Sequence, residues 1–197
     1  FLAWKKLAND LGFDFTELQN EELKGVSRVR SLEKILEWGN TSLSKDEFNQ
    51  KMAVKNDNYL SYLTNMNSSD ILPGVSKVIN FLMEEKVPFA LGSASKNARP
   101  ILEKTGLINK FHAIVDGNDV SKAKPDPEVF IIAAEKIGVA QENCLVFEDS
   151  VAGIQAANIA GMISIGIGEK EVLHEADYVF SSFEEIEIDF LKKIVTT

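Results

Sequence analysis

Three groups of polar residues in the second half of the chain could act together chemically, because each follows a short apolar run. Ser93–Asn97 comes after one run, Lys124 lies beyond a second, and Glu148 and Asp149 come directly after a third. If these runs are parallel strands, their carboxyl ends meet at one edge of a sheet, where ligands bind in this class of fold. Hydroxyls, ammonium groups and paired carboxylates at one edge favour a phosphate group held together with a divalent cation.

Ser93–Asn97 can hold a phosphate because hydroxyls, an ammonium and an amide lead into the N-terminus of a predicted helix, which attracts anions. A plain Ser-rich turn with Ser95 as the helix cap is the alternative. Lys124 precedes Pro125, which disfavours a helical conformation for it and keeps it in the loop. There it could neutralise a phosphoryl group and a carboxylate together, unless it is only a solvated loop lysine.

Glu148 and Asp149 end a fully apolar strand, where hard oxygen ligands for Mg²⁺ would be well placed. In the alternative interpretation one carboxylate caps the following helix and the other is solvated. The residue pattern alone leaves both possibilities open.

The elements that carry these groups alternate between strands and helices. Predicted strands cover residues 87–92, 113–115, 144–147, 163–167 and 178–180, and predicted helices cover 75–85, 97–105, 126–137 and 150–160. Asp126 is the expected cap of the third of these helices, with Pro127 at its first position. The alternation predicts right-handed βαβ units around a parallel sheet. Residues 68–197 are therefore predicted to form a doubly wound α/β domain.

Residues 1–67 show helical spacing of apolar residues and no strand signal, which predicts a small all-helical domain. Gly12 is expected to end the first helix. Ser27 is expected to cap a second helix, and Ser44 with Glu47 forms a capping box for a third, long helix. The polar, turn-rich residues 67–70 are the predicted linker.

Composition limits the classes of function. The net charge of −9 disfavours nucleic acid and anionic membranes as partners, so an anionic substrate needs a local basic pocket. The single cysteine, Cys144, excludes an internal disulfide and fits a reducing compartment. No apolar run reaches the roughly 20 residues of a membrane span, and the first residues do not form a secretory signal. We expect a soluble cytoplasmic protein.

The order of these groups (serine, then Lys-Pro, then Glu-Asp) resembles motifs two to four of the haloacid dehalogenase-like superfamily of phosphohydrolases and phosphotransferases. Within this superfamily, the amino-acid sequences of five segments resemble the β-phosphoglucomutase family. These are Trp4–Ala8, Leu23–Arg28, Lys55–Tyr59, Ser93–Asn97 and Glu148–Ala156. The resemblance spans nearly the whole chain, and it implies a haloacid dehalogenase-like α/β core with a helical cap.

The resemblance also implies an activity and residue roles. That family interconverts β-D-glucose 1-phosphate and D-glucose 6-phosphate through β-glucose 1,6-bisphosphate and an aspartyl-phosphate. Ser93 and Lys124 would contact the transferring phosphoryl group, and Glu148 and Asp149 would help to bind Mg²⁺. Arg28 would hold the other phosphate. The remaining substrate-binding residues implied are Lys24, Gly25, Val26, Ser31, Lys55 and Asn56 in the cap, and Ala94, Ser95, Lys96 and Asn97 in the core.

The sequence departs from the family in one respect, because the first motif, Asp-x-Asp-Gly, does not occur in it. In the family this motif follows the first, central strand and supplies the nucleophile, an Mg²⁺ ligand and the general acid–base. Either the sequence begins late in a complete protein, which we favour, or the product is a true fragment. We expect the 197-residue chain by itself to be inactive and to fold poorly.

Two other functions remain open at this point. A sugar-phosphate phosphatase would use the same Mg²⁺ site but transfer the phosphoryl group to water. A non-catalytic phosphosugar-binding module would need no nucleophile. We expect the protein to be a monomer whichever function applies, since opening of the cap needs freedom.

Overall fold

The computed structural model describes residues 1–195, and its first third is entirely helical. The helices are α1 (Leu2–Asp10), α2 (Glu17–Glu21), α3 (Arg28–Trp38) and α4 (Lys45–Tyr62). Ser27 Oγ accepts a hydrogen bond from Arg30 N at 3.3 Å, and Ser44 forms the predicted capping box with Glu47. Gly12 follows α1 with a φ of +92°, the left-handed conformation typical of a residue that ends a helix. The helical prediction is confirmed.

One apolar cluster packs these helices against each other. Its buried members are Trp4, Leu7, Ala8, Phe15, Leu23, Leu32, Ile35 and Leu36. Helix α4 contributes only partly buried residues to it, among them Phe48 and Met52. The helical segment therefore has an apolar core of its own, while a domain boundary at residue 67 stays a prediction.

The rest of the chain alternates strands and helices, as the sequence predicts. The strands are β1 (Ala90–Gly92), β2 (Ala113–Val115), β3 (Leu145–Glu148), β4 (Ile163–Ile167) and β5 (Tyr178–Phe180). The helices are α5 (Val75–Glu84), α6 (Ala98–Thr105), α7 (Glu128–Ile137), α8 (Val151–Ile159) and α9 (Ile188–Val195), the last of which has no counterpart among the predicted helices. All strand pairs are parallel: β1 with β2, β3 with β4, and β4 with β5.

Two predicted boundaries were wrong by more than one residue, and the other boundaries that differ do so by a single residue. The first strand begins at Ala90 rather than at residue 87, because Pro88 has no N–H to give to a sheet and Val87 N donates to Leu82 O at the end of α5. Helix α7 begins at Glu128, two residues later than predicted, with Pro127 instead of Asp126 as its N-cap residue. Asp126 still accepts a hydrogen bond from Glu128 N at 3.1 Å, but its own N–H closes a preceding turn.

The parallel sheet is interrupted between β1 and β3. Strands β1 and β2 form one sheet and β3, β4 and β5 another, and within residues 1–195 no strand pairs with the second edge of β1 or of β3. One apolar cluster nevertheless joins the two sheets, since it includes Val115 of β2 and Val146 of β3 together with Phe130 of α7 and Ala157 of α8. Two unpaired edges agree with the expectation that a central strand is not among these residues.

Candidate active site

Lys124 joins the carboxyl ends of the two sheets. Its Nζ donates to Glu148 Oε2 at 2.9 Å and lies 3.4 Å from the carbonyl oxygen of Gly92, the last residue of β1. The side chains of Lys124 and Glu148 are only 4% and 10% exposed. The Lys124 ammonium also lies 4.5 Å from the ring centroid of Phe130. Lys124 is therefore a buried cation at the strand ends, and the alternative of a solvated loop lysine was wrong.

Glu148 is held by hydrogen bonds through both carboxylate oxygens. Oε1 accepts a hydrogen bond from Ser150 Oγ at 2.6 Å, while Oε2 accepts one from the ammonium of Lys124. Ser150 Oγ in turn accepts from Gly153 N at 3.1 Å and so caps α8. A Cβ at Gly153 would overlap the Glu148 carboxylate, so the absence of a side chain there makes room for it. The interpretation in which a carboxylate caps this helix was wrong, because Ser150 does so.

Asp149 differs from Glu148 in its surroundings. It is exposed, and no hydrogen bond or ion pair is formed by its side chain within residues 1–195. Its oxygens therefore remain open to a ligand. Glu148 would have to share its carboxylate between Lys124, Ser150 and any cation.

The phosphate loop, which we define as Ser93–Asn97, links β1 to α6. Ser93 Oγ accepts from Ser95 N and Ser95 Oγ accepts from Asn97 N, both at 3.1 Å. Asn97 is the N-cap residue of α6, so the interpretation in which Ser95 caps this helix was wrong. Lys96 is exposed and forms no ion pair in the described part of the chain. An unpaired ammonium beside a helix N-terminus suits an anion.

A second group of cations lies in the helical segment. Lys55 of α4 lies between two rings, with its Nζ 4.1 Å from the centroid of Trp4 and 5.2 Å from that of Tyr59. Burial and, secondly, the charge of Arg28 lower the pKa of Lys55 to about 8. Burial also lowers the pKa of Arg28. Within residues 1–195 neither cation has a carboxylate partner, so an anion could balance the charge of both.

Neighbouring residues contrast with this pair. Arg30 binds Glu33 at 3.1 Å and Glu37 at 3.0 Å, so carboxylates of the same helix balance its charge. Lys24 is paired with Glu21 at 2.6 Å and is exposed. Arg28 and Lys55 are thus available to an anion, whereas Lys24 would first have to leave Glu21.

The helical segment contacts the strand ends at two points. Asn97 Nδ2 donates to Asn56 Oδ1 at 2.8 Å. Gly25, with a φ of +72°, lies so close to Ser150 that a Cβ at Gly25 would be 2.6 Å from Ser150 Oγ. The structure therefore brings Gly25 and Asn56 to the strand-end residues. Among the other predicted substrate-binding residues, Val26 and Ala94 are half-buried, and Ser31 is buried within α3.

Comparison with known proteins decides the family. The profile of haloacid dehalogenase-like hydrolases matches residues 3–161. The chain belongs to this family. It is 37% identical over 193 residues to the β-phosphoglucomutase of Bacillus subtilis (strain 168), a match that covers 97% of this chain and 85% of that protein. A crystal structure of β-phosphoglucomutase from Clostridium difficile superposes with a TM-score of 0.94 at 37% identity, covering 99% of this chain and 88% of the other.

Phosphatases of the haloacid dehalogenase-like family are also similar. The phosphorylated carbohydrates phosphatase of Thermotoga maritima is 27% identical over 202 residues, covering 99% of this chain and 91% of that protein. The identity to β-phosphoglucomutase over most of the chain supports an isomerase or phosphotransferase enzyme of carbohydrate metabolism that acts in phosphoryl transfer. In the described residues, no helix is both long and apolar enough to cross a membrane.

The donor set fits a magnesium-dependent member of the haloacid dehalogenase-like family but is incomplete by itself. Glu148 and Asp149 offer hard oxygen ligands, yet residues 1–195 contain no group of three or more His, Cys, Asp or Glu side chains that could hold a metal ion. The Asp-x-Asp-Gly motif, which supplies further oxygens in this family, does not occur in the sequence. Glu148 and Asp149 are therefore part of a ligand set at most.

Sequence reasoning gave no role to three parts of the site. Ser150 orients Glu148, the rings of Trp4 and Tyr59 enclose Lys55, and Phe130 underlies Lys124. A serine directly before a predicted helix is a signal for an N-cap, so Ser150 could have been found. Tyr59 lies four residues after Lys55 on α4, so this contact too could have been found from helical spacing. The contacts with Trp4 and Phe130 depend on tertiary packing, for which the sequence has no signal.

Proposed function

We propose that the complete protein is a β-phosphoglucomutase that interconverts β-D-glucose 1-phosphate and D-glucose 6-phosphate through β-glucose 1,6-bisphosphate. The observation that carries the proposal is a pair of separate cation sites, Lys124 with the phosphate loop at the strand ends and Arg28 with Lys55 in the helical segment. A bisphosphate needs two such sites, whereas hydrolysis of a monophosphate needs one. The 37% identity to a β-phosphoglucomutase supports the same substrate class.

At the strand ends, Lys124 and Ser93 would hold the transferring phosphoryl group. Lys124 is already fixed by Glu148 at 2.9 Å, so its ammonium needs little reorganisation to meet negative charge that develops on the phosphoryl oxygens. The nucleophile would be an aspartate of the Asp-x-Asp-Gly motif outside this chain, on a strand paired between β1 and β3. Mg²⁺ bound by Glu148 and Asp149 with that motif would supply Lewis-acid stabilisation of the phosphoryl oxygens.

In the helical segment, Arg28 and Lys55 would hold the other phosphate. A guanidinium offers two parallel donors to phosphate oxygens, and Lys55 adds a second positive charge beside it. The phosphate would neutralise two cations that otherwise repel each other in a half-buried position. Lys24, Val26, Ser31 and Ala94 are proposed as further lining residues of the cleft.

Closure of the helical segment over the strand ends would exclude water and so favour transfer to the sugar over hydrolysis. Asn56 with Asn97, and Gly25 with Ser150, are the contacts proposed to form the closed arrangement. We propose residues 1–67 as the moving cap and residues 68–197 as the core, acting as a monomer.

A sugar-phosphate phosphatase is the second candidate. The identity to the Thermotoga phosphatase over nearly the whole chain favours it, and the strand-end residues alone would suffice for hydrolysis. The two candidates differ in the acceptor of the phosphoryl group, which is a sugar hydroxyl in one and water in the other.

The deciding experiment is an assay of the complete protein, with the segment upstream of Phe1 included. β-D-glucose 1-phosphate, Mg²⁺ and a trace of glucose 1,6-bisphosphate are supplied, and glucose 6-phosphate is scored against free phosphate. Glucose 6-phosphate as the main product supports the mutase. Free phosphate alone identifies a phosphatase, and no product of either kind favours a binding module. The 197-residue chain, assayed in parallel, is expected to give no product.

A further inference from the structure

The loop that follows β2 lies directly behind the phosphate loop. We define this segment, Asp116–Asp119, as the brace loop. Gly117 N donates to Ser95 O at 3.3 Å, and Asn118 Nδ2 donates to Lys96 O at 3.3 Å. A Cβ at Gly117 would lie 2.5 Å from Ala94 O. The brace loop therefore contacts the carbonyl oxygens of three consecutive residues of the phosphate loop.

These contacts have an electrostatic consequence. A carbonyl oxygen carries partial negative charge, and it would repel a phosphate if its peptide unit turned towards the ligand. Two of the three carbonyls are engaged as acceptors by the brace loop, and the third is packed against Gly117. The peptide units of the phosphate loop are thus fixed with their carbonyls directed at the brace loop.

The brace loop is itself tightly held around one buried carboxylate. Asp116 is 1% exposed, and its Oδ1 accepts from Asn118 N at 2.8 Å and from Asn118 Nδ2 at 3.0 Å. Asp119 Oδ2 accepts from Asp116 N at 2.9 Å. This backbone hydrogen bond is the main cause that lowers the pKa of Asp119, which keeps it ionised. Three hydrogen bonds to side-chain carboxylates thus fix a four-residue loop.

Arg99 ties the brace loop to the helix that the phosphate loop leads into. Arg99 is the second residue of α6, and its Nε lies 3.3 Å from Asp116 Oδ2, an ion pair without hydrogen-bond alignment. Its Nη2 donates to Ile114 O at 3.1 Å and lies 3.6 Å from Asp119 Oδ2. The guanidinium therefore joins the start of α6, which follows the phosphate loop, to β2 and to the brace loop.

We propose that the brace loop, anchored by Arg99, is a positioning element that sets the affinity of the phosphate loop for phosphate. Gly117 and Asn118 are its positioning residues, and they act through Ala94, Ser95 and Lys96 without touching the ligand. The proposal rests on the proposed function only in taking the phosphate loop as a phosphate site. Because the contacts reach the middle of the phosphate loop and not Lys124 or Glu148, loss of a contact should weaken binding more than the chemical step.

The test compares Gly117→Ala and Asn118→Ala in the complete protein, with Asn109→Ala as the control at another exposed asparagine. For Asn118→Ala we expect a roughly 3- to 10-fold rise in KM for the sugar phosphate and in Ki for inorganic phosphate, the size of the lost hydrogen bond to Lys96 O, with kcat changed less than about twofold. The hydrogen bond from Asn118 Nδ2 to Asp116 Oδ1 within the brace loop is lost as well. Gly117→Ala should have a larger effect. Because Asn118 is exposed, its variant should fold even if Gly117→Ala does not.

Two results would overturn the proposal. In the first, Asn118→Ala lowers the melting temperature while KM and Ki stay at their wild-type values, so that the brace loop serves stability alone. In the second, calorimetric titration detects no binding of inorganic phosphate to the wild-type protein. If phosphate binds and Asn118→Ala weakens this binding, but no glucose 6-phosphate is formed, the proposal for the brace loop is supported and the proposed mutase function is contradicted.

Discussion

Replacement of Lys55 by methionine should stabilise the protein near neutral pH while it weakens the binding of a sugar phosphate. Burial, and secondly the charge of Arg28, lower the pKa of Lys55 from 10.5 to about 8. A difference of 1 in pKa corresponds to about 1.4 kcal/mol, so the cost of keeping this ammonium charged in the folded protein is at most roughly 3 kcal/mol. Cation–π contacts with Trp4 and Tyr59 offset part of it, which leaves an expected gain of about 1–2 kcal/mol.

The pH dependence of this gain has a definite sign. Between pH about 8 and 10.5 the unfolded chain keeps a proton on Lys55 that the folded protein has lost, so the wild-type free energy of unfolding rises with pH in this window. Below pH about 8, Lys55 is charged in both the folded and the unfolded state, so the full cost of burying its charge is present. The advantage of Lys55→Met should therefore be largest below pH 8 and should fade as the pH approaches 10.5.

Urea unfolding of the complete protein at a series of pH values from 7 to 10 measures this difference, with Lys51→Met, one helical turn away, as the control. In parallel, the wild-type KM for the sugar phosphate should rise above pH about 8 as Lys55 loses its charge, and the KM of Lys55→Met should already be high and lack this rise. A Lys55→Met protein less stable than wild type at pH 7, or a stability difference that does not change with pH, would contradict a charging cost at Lys55.

Three further predictions concern the same site and its support. Lys124→Met should abolish turnover and lower the free energy of unfolding by about 3 kcal/mol, because Glu148 is left buried without its partner; adding Glu148→Gln should restore stability but not turnover. Gly25→Ala should lower kcat several-fold in steady-state assays, since its φ of +72° and its contact with Ser150 both oppose a side chain; an unchanged kcat would count against closure through this contact. Ser44→Ala should cost about 1 kcal/mol in urea unfolding through loss of the capping box, with KM and kcat unaffected.

The sequence located most of the secondary structure and the strand-end groups because those depend on local signals. The caps at Ser27 and Ser44 arise from residues three positions apart, and the order of Ser93, Lys124 and Glu148 follows from the rule that parallel strands place their carboxyl ends at one edge. The boundary errors at residue 87 and at Asp126 occurred where a proline and a tight turn displaced the start of the element by three and by two residues.

The sequence thus determines much of the chemistry of the site. It identifies the residues that end the strands and the helices that flank them, and it shows that the nucleophile motif is not among these residues. Only the tertiary structure decided how the charges are distributed. It paired Lys124 with Glu148, left Arg28 and Lys55 without carboxylate partners within residues 1–195, and set Asp116–Asp119 behind the phosphate loop. Such partners lie far apart in sequence, so their distances follow from the packing of whole helices and strands and carry no local signal.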